Sequence, residues 1–308
     1  MDSTIQQAHS WDRLSVSLAT FEKIVERYDV FSYFLQAVQR FELRDKSDTS
    51  TWNNFHLREG DSAVEACYTL YYVEHNDRTR GDPWSFRKTA VYHRYDVQTQ
   101  SSAWIFVKLP SPLKGRLVDR LKKLWPETRL CHARHLMVHI LILVYSLQGW
   151  RDYLASLKSK MEDLVKFLHR DLEGDSLTYS QEEKCLFSQA DVTNPYDYAV
   201  RFSDLQSIQL LQRKFMRSIS SITSVVGVIQ RMQAAFPKLL LSAIQSGPVI
   251  TDTLKVELED LAAEAQYYQR SALELQQRSS NAASLVSDPR PRDILSYLHL
   301  VTAMCTNV

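Results

Sequence analysis

"DPWSFRKTAVYHRYDVQTQSSAWIFVKLP", residues 82–110, decides how this chain folds. Side chains along a strand point alternately to opposite faces. In TAVYHRYD, Val91, His93 and Tyr95 therefore point one way and Ala90, Tyr92 and Arg94 the other. AWIFV alternates in the same manner, and QTQS between the two runs suits a hairpin connection. The stretch reads as a strand pair in a sheet with one buried face, and Trp104 is expected in that core. An anion site made of Arg87, Lys88 and His93 is the minor alternative, because site residues must converge in space.

Upstream, residues 11–45 form an amphipathic helical pattern, with Leu14, Leu18, Phe21, Ile24 and Val25 on one face. RDKSDTSTWNN, 44–54, is polar and reads as a loop, and EACYTLYYVEH, 65–75, as a further strand. Downstream, Ser-Pro opens a short helix at residue 111. A long helix is expected to start near residue 133 and to carry Trp150, Leu154, Leu157, Met161, Leu164 and Leu168 in alternating steps of four and three. HRDLEGDSLTYSQEEKC, 169–185, breaks the pattern. A second seam runs Ile208, Leu211, Phe215, Ile219, Ile222, Val226, Ile229. FPKLLLSAIQSGPV interrupts it with Pro237, Gly247 and Pro248, and a third seam runs Leu254, Leu258, Leu261, Ala265, Tyr268, Ala272, Leu275. The fold class is α+β: an N-terminal α/β unit with a small sheet, followed by long heptad-patterned helices that pack at shallow angles. The expected domains are 1–130 (α/β), 131–286 (long helices) and 287–308 (tail).

Composition agrees with this plan. Seven Gly and nine Pro in 308 residues are few for a turn-rich β protein. A net charge of +1, with no stripe of Lys and Arg, argues against nucleic acid as a partner. Cys67, Cys131, Cys185 and Cys305 form no CxxC pair, which suits a reduced, cytoplasmic chain. MDSTIQQAHSWDRL lacks a basic region followed by an apolar run, so no secretory signal is expected. HLMVHILILVYSLQGW, 135–150, is the best membrane candidate, but its unbroken apolar core, Ile140–Tyr145, is far shorter than the ~18 residues of a span. It reads as a buried helix.

The sharpest chemical pattern is CHARHLMVH. Cys131, His135 and His139 are four apart in turn, so on a helix they share a face and form a candidate zinc site. No Glu follows His135 as HExxH would require. His139 also lies in an apolar run, so hydrogen-bonded core histidines are the favoured reading and metal the alternative. KVELEDLAAE, 255–264, places Glu257, Glu259, Asp260 and Glu264 around a helix, a pattern more typical of a solvated face than of a cation site. GxSxG, GxxxxGK[ST] and GxGxxG are absent. No catalytic residue and no cofactor is assigned, and an enzyme is not expected.

At PWSFRKTAVYHRYD and SSAWIFVKLP the chain resembles the strand pair of fungal CorA-like proteins. GWRDYLASLKSKME, 149–162, is similar to that family's Asn-Trp-Arg opening of a long helix. FSDLQSIQLLQRKF, 202–215, with Asp204, Leu205 and Gln206, resembles its next helix start, and the likeness covers about 30–280. The resemblance implies the cytosolic fold of CorA-type transporters. Those proteins carry divalent cations, chiefly magnesium, through a pentameric pore that ends in Gly-Met-Asn, with two membrane spans at the C-terminus. This sequence has neither Gly-Met-Asn nor a span, so the resemblance carries over the fold and not transport. The expected function is that of a pore-less, non-catalytic regulatory or scaffolding protein, accessory to a fungal specialised-metabolite pathway. The alternative is a truncated magnesium transporter whose gene model lacks the membrane part. Protein partners are expected, with the chain a monomer or a weak homo-oligomer.

Overall fold

A computed structural model describes residues 3–7, 13–41, 55–76, 78–124, 134–173, 202–239 and 248–287. Five strands form one sheet: β1 (Ser3–Ile5), β2 (Phe55–Glu59), β3 (Ala63–His75), β4 (Trp84–Asp96) and β5 (Ser101–Val107). Their order is β1-β5-β4-β3-β2, with β1 parallel to β5 and the remaining pairs antiparallel. The expected hairpin joins β4 to β5. Its turn is held by the Asp96 carboxylate, which accepts from the Thr99 amide at 2.7 Å and the Thr99 hydroxyl at 2.8 Å. The register sets His93 opposite Trp104 and Tyr92 opposite Ile105.

Both faces of the sheet are buried, where the sequence suggested one. Helices α1 (Leu18–Tyr28) and α2 (Ser32–Gln39) cover the face that carries Cys67, Ala90, Tyr92 and Ile105, with Phe34 and Phe41 in that core. Helix α4 (Arg134–Leu147) covers the face of Tyr68 and His93. Arg94 gives its face a polar look in the sequence, but the charge is absorbed internally. Glu65, 3% exposed, takes both Arg58, at 2.8 and 2.9 Å, and Arg94, at 3.1 Å. A buried carboxylate satisfied by two guanidinium groups lets charged residues lie under a helix layer.

The 11–45 pattern resolves into two helices. Ser17 caps α1, its hydroxyl accepting from the Thr20 amide at 3.2 Å. Asp29 ends it in the left-handed region at φ 46°. Leu18 is 72% exposed and does not share the buried face. The helix expected from residue 133 is likewise two: α4 stops at Leu147 and α5 (Trp150–Glu173) restarts after Gln148 and Gly149. The turn at the break lies against β3. A Cβ on Gly149 would lie 2.2 Å from the Val73 carbonyl oxygen, so only Gly lets the chain pass that close to β3.

Helix α3 (Ser111–Leu124) begins at Ser-Pro, as expected. Helix α6 (Phe202–Leu239) runs through Pro237 before ending, and α7 (Pro248–Ser287) has its proline at the first position. The chain divides into two compact units, Met1–Tyr153 with Arg217–Arg270, and Leu154–Met216 with Ser271–Val308. Each unit contains stretches of α6 and α7. In the first, Ile222, Val226, Ile229, Leu254, Leu258 and Ala265 are buried. In the second, Leu157, Met161, Ile208, Phe215, Ala272 and Leu275 are buried.

Candidate functional site

Strand alternation and helix periodicity together bring three histidines to one place. On β4, Val91, His93 and Tyr95 point toward α4. On α4, His135 and His139 are one turn apart and point back at the sheet. All three rings are buried: His93 is 0% exposed, His139 1% and His135 3%. Nε2 of His139 lies 3.0 Å from Nδ1 of His93. Nδ1 of His139 lies 2.8 Å from the Tyr68 hydroxyl, and Nε2 of His93 lies 3.3 Å from the Ser102 hydroxyl. His135 Nε2 lies 3.1 Å from the carbonyl oxygen of Leu239. The indole of Trp104, His93's cross-strand partner, stacks on the His93 ring at 3.9 Å, and Tyr95 stacks on His135 at 4.4 Å.

Hydrogen-bond direction fixes the protons. A carbonyl only accepts, so His135 carries its hydrogen on Nε2. Tyr68 has one proton, and His139 Nδ1 is its sole hydrogen-bonding neighbour among the described residues. The Tyr68 hydroxyl therefore donates to His139 Nδ1, His139 Nε2–H donates to His93 Nδ1, and His93 Nε2–H donates to Ser102 Oγ. The reverse order would strand the buried Tyr68 proton, a cost of about 1–3 kcal/mol. Each ring is thus assigned as neutral and protonated on Nε2.

The electrostatics hold them neutral. Burial pushes His93 well below the usual imidazole range, with His139 and then His135 adding to the shift. Burial, then His135, pushes His139 down to about 3. Burial also raises the Tyr68 phenol well above its ordinary value.

Of the candidate zinc ligands, His135 and His139 come together, and Cys131 lies outside the described residues. Among the described residues no group of three His, Cys, Asp or Glu has the arrangement of a metal site. The two facing nitrogens of His93 and His139 are engaged with each other. Arg87, Lys88 and His93 do not converge. Arg87 pairs with Glu74 at 3.6 Å, while Lys88 sits 4.8 Å above the Phe41 ring and donates to the Arg40 carbonyl. In the acidic stretch, Glu257, Glu259, Asp260 and Glu264 are all exposed. Glu259 lies 4.0 Å from Lys255, and Glu264 accepts from the Tyr268 hydroxyl at 2.7 Å. Sequence reading did not join His93, Tyr68 and Ser102 to the histidines of α4. The only local sign was the alternation that put His93 on the same face as Val91 and Tyr95.

A family model described as CorA-like transporters matches residues 4–168. No curated protein matches the chain in sequence. Among solved structures, the cytoplasmic domain of ZntB from Vibrio parahaemolyticus is similar at 11% identity and a TM-score of 0.40, over 86% of this chain and 83% of that one. The full-length CmaX protein is similar at 12% identity and a TM-score of 0.35, over 98% of this chain and 82% of that one. Among the described residues, no helix is long and apolar enough to cross a membrane.

Proposed function

We propose that this chain, which belongs to the family of CorA-like transporters, acts by associating with other proteins and not by catalysis. The observation that carries this reading is the closure of the histidine cluster. A general acid or base must reach the proton it moves. His93, His135 and His139 are at most 3% exposed, and His93 and His139 are held neutral. Stacking on Trp104 and Tyr95 spends the remaining ring surface on packing. Read as a polar clamp between sheet and α4, the cluster supports a non-catalytic, regulatory or scaffolding role, and the cytoplasm is the compartment proposed with it. Service to a fungal specialised-metabolite pathway is part of the same proposal and rests on the resemblance at PWSFRKTAVYHRYD.

Family membership favours one competing reading, a divalent-cation transporter whose membrane part lies outside this sequence. The two separate in a cell that lacks magnesium uptake and grows only in high magnesium. With expression verified by immunoblot, this chain should leave that requirement unchanged. Growth at low magnesium would overturn the association reading in favour of transport.

A further inference from the structure

A second feature lies away from the histidines, between α3 and α4. There the surface opens into a groove of about 470 Å³, within the range of about 300–1,000 Å³ typical of small-molecule sites. Its floor is apolar: Met137, Ile140, Leu141 and Val144 follow one another at helical spacing along α4. Its rim is cationic: Arg116, Arg120 and Lys123 stand at successive turns of α3. Arg116 is already positioned, donating to the Gln148 side chain at 2.9 Å with its guanidinium 5.8 Å from the Tyr145 ring. Arg120 and Lys123 are exposed and form no ion pair among the described residues. Asp119 and Glu257 also line the groove, so three cations against two carboxylates leave one positive charge in excess.

An apolar trough edged by Arg120 and Lys123, which form no ion pair among the described residues, fits a molecule that is apolar along its length and anionic at one end. We propose that this groove binds a single-chain anionic amphiphile, a long-chain carboxylate, with its hydrocarbon along Met137, Leu141 and Val144 and its head group at Arg120 and Lys123. Neutral amphiphiles lack the head group that the rim recognises, and water-soluble anions lack the tail that the floor recognises.

The test is a fluorescence titration of the full chain with dansyl-labelled undecanoate, its methyl ester as the neutral comparator, and unlabelled palmitate as competitor. The carboxylate should bind saturably, be displaced by palmitate, and weaken as salt is raised. The ester should bind at least about tenfold more weakly, and Arg120→Gln with Lys123→Gln should cost the carboxylate about tenfold, as loss of two exposed charge contacts together would. Asp119→Asn should tighten binding, a result that damage to the fold cannot mimic. Absence of saturable binding, equal affinity for acid and ester, or no effect of the rim variants would each overturn the proposal. Binding confined to phosphatidylglycerol vesicles, with no affinity for the free carboxylate, would overturn it in favour of a membrane surface. None of these outcomes bears on magnesium-dependent growth, so this proposal and the association reading fail separately.

Discussion

His93 and His139 make stability depend on pH in a direction that can be worked out. Both are held below the unfolded imidazole value of about 6.5, His139 at about 3. Between about 6.5 and 3 for His139, and below about 6.5 for His93, the unfolded chain holds a proton that the folded chain refuses, so stability is full above about pH 6.5 and is lost as pH falls. Each ring should contribute a slope of up to ~1.4 kcal/mol per pH unit. Urea titrations between pH 7 and 5 should show that fall, and His139→Gln should remove about half of it. A flat profile would mean that the rings are charged or exposed. Trp104, 7% exposed and stacked on His93, should cost about 3–5 kcal/mol on truncation to Ala, read from the urea midpoint. At this scale the sequence was partly legible. Two histidines four apart on an apolar helix announce a shared face. Nothing local announces that His93, on a strand 46 residues from His139, completes the set, because that contact exists only once β4 and α4 pack.

Periodicity carries the elements, and steric detail places their ends. Strands β3, β4 and β5 were readable from alternation and the long helices from their seams, of which Leu157, Phe215 and Leu258 are buried as expected. Strand β1 was not, since three residues hold no pattern and its pairing with β5 is parallel and remote. The break between α4 and α5 was also hidden. Apolar spacing runs through it, and the close approach of Gly149 to Val73 in β3, which only Gly permits, exists only in the folded chain. Gly149→Ala should therefore destabilise by about 3 kcal/mol, the upper range of overpacking. Gly227, in α6, meets nothing within 4 Å, so Gly227→Ala should gain about 0.5–1 kcal/mol from helix propensity. Thermal melts of the two variants shifted in the same direction would contradict this account of the α4–α5 turn.

For the molecule as a whole, seams such as these can be closed inside one chain or between chains. Here Leu254, Leu258, Ala265, Ala272 and Leu275 of α7 are buried without any second copy, as are Ile208, Phe215, Ile222 and Ile229 of α6. Apolar surface already removed from water has no further free energy to give to assembly, at roughly 25 cal/mol per Å². Seams buried in this way give no reason for a stable ring, and the surface left for weak association on the same two helices is that of Leu210, Met216, Val256, Tyr267 and Leu273, which stay exposed. The chain should be a monomer, or associate only weakly and with dependence on concentration. The measurement that tests the account most directly is light scattering coupled to size exclusion over a dilution series of the full chain. The account predicts a mass of 35.8 kDa, or one that falls toward it on dilution. A single species near five times 35.8 kDa that persists on dilution would contradict it and put transport first.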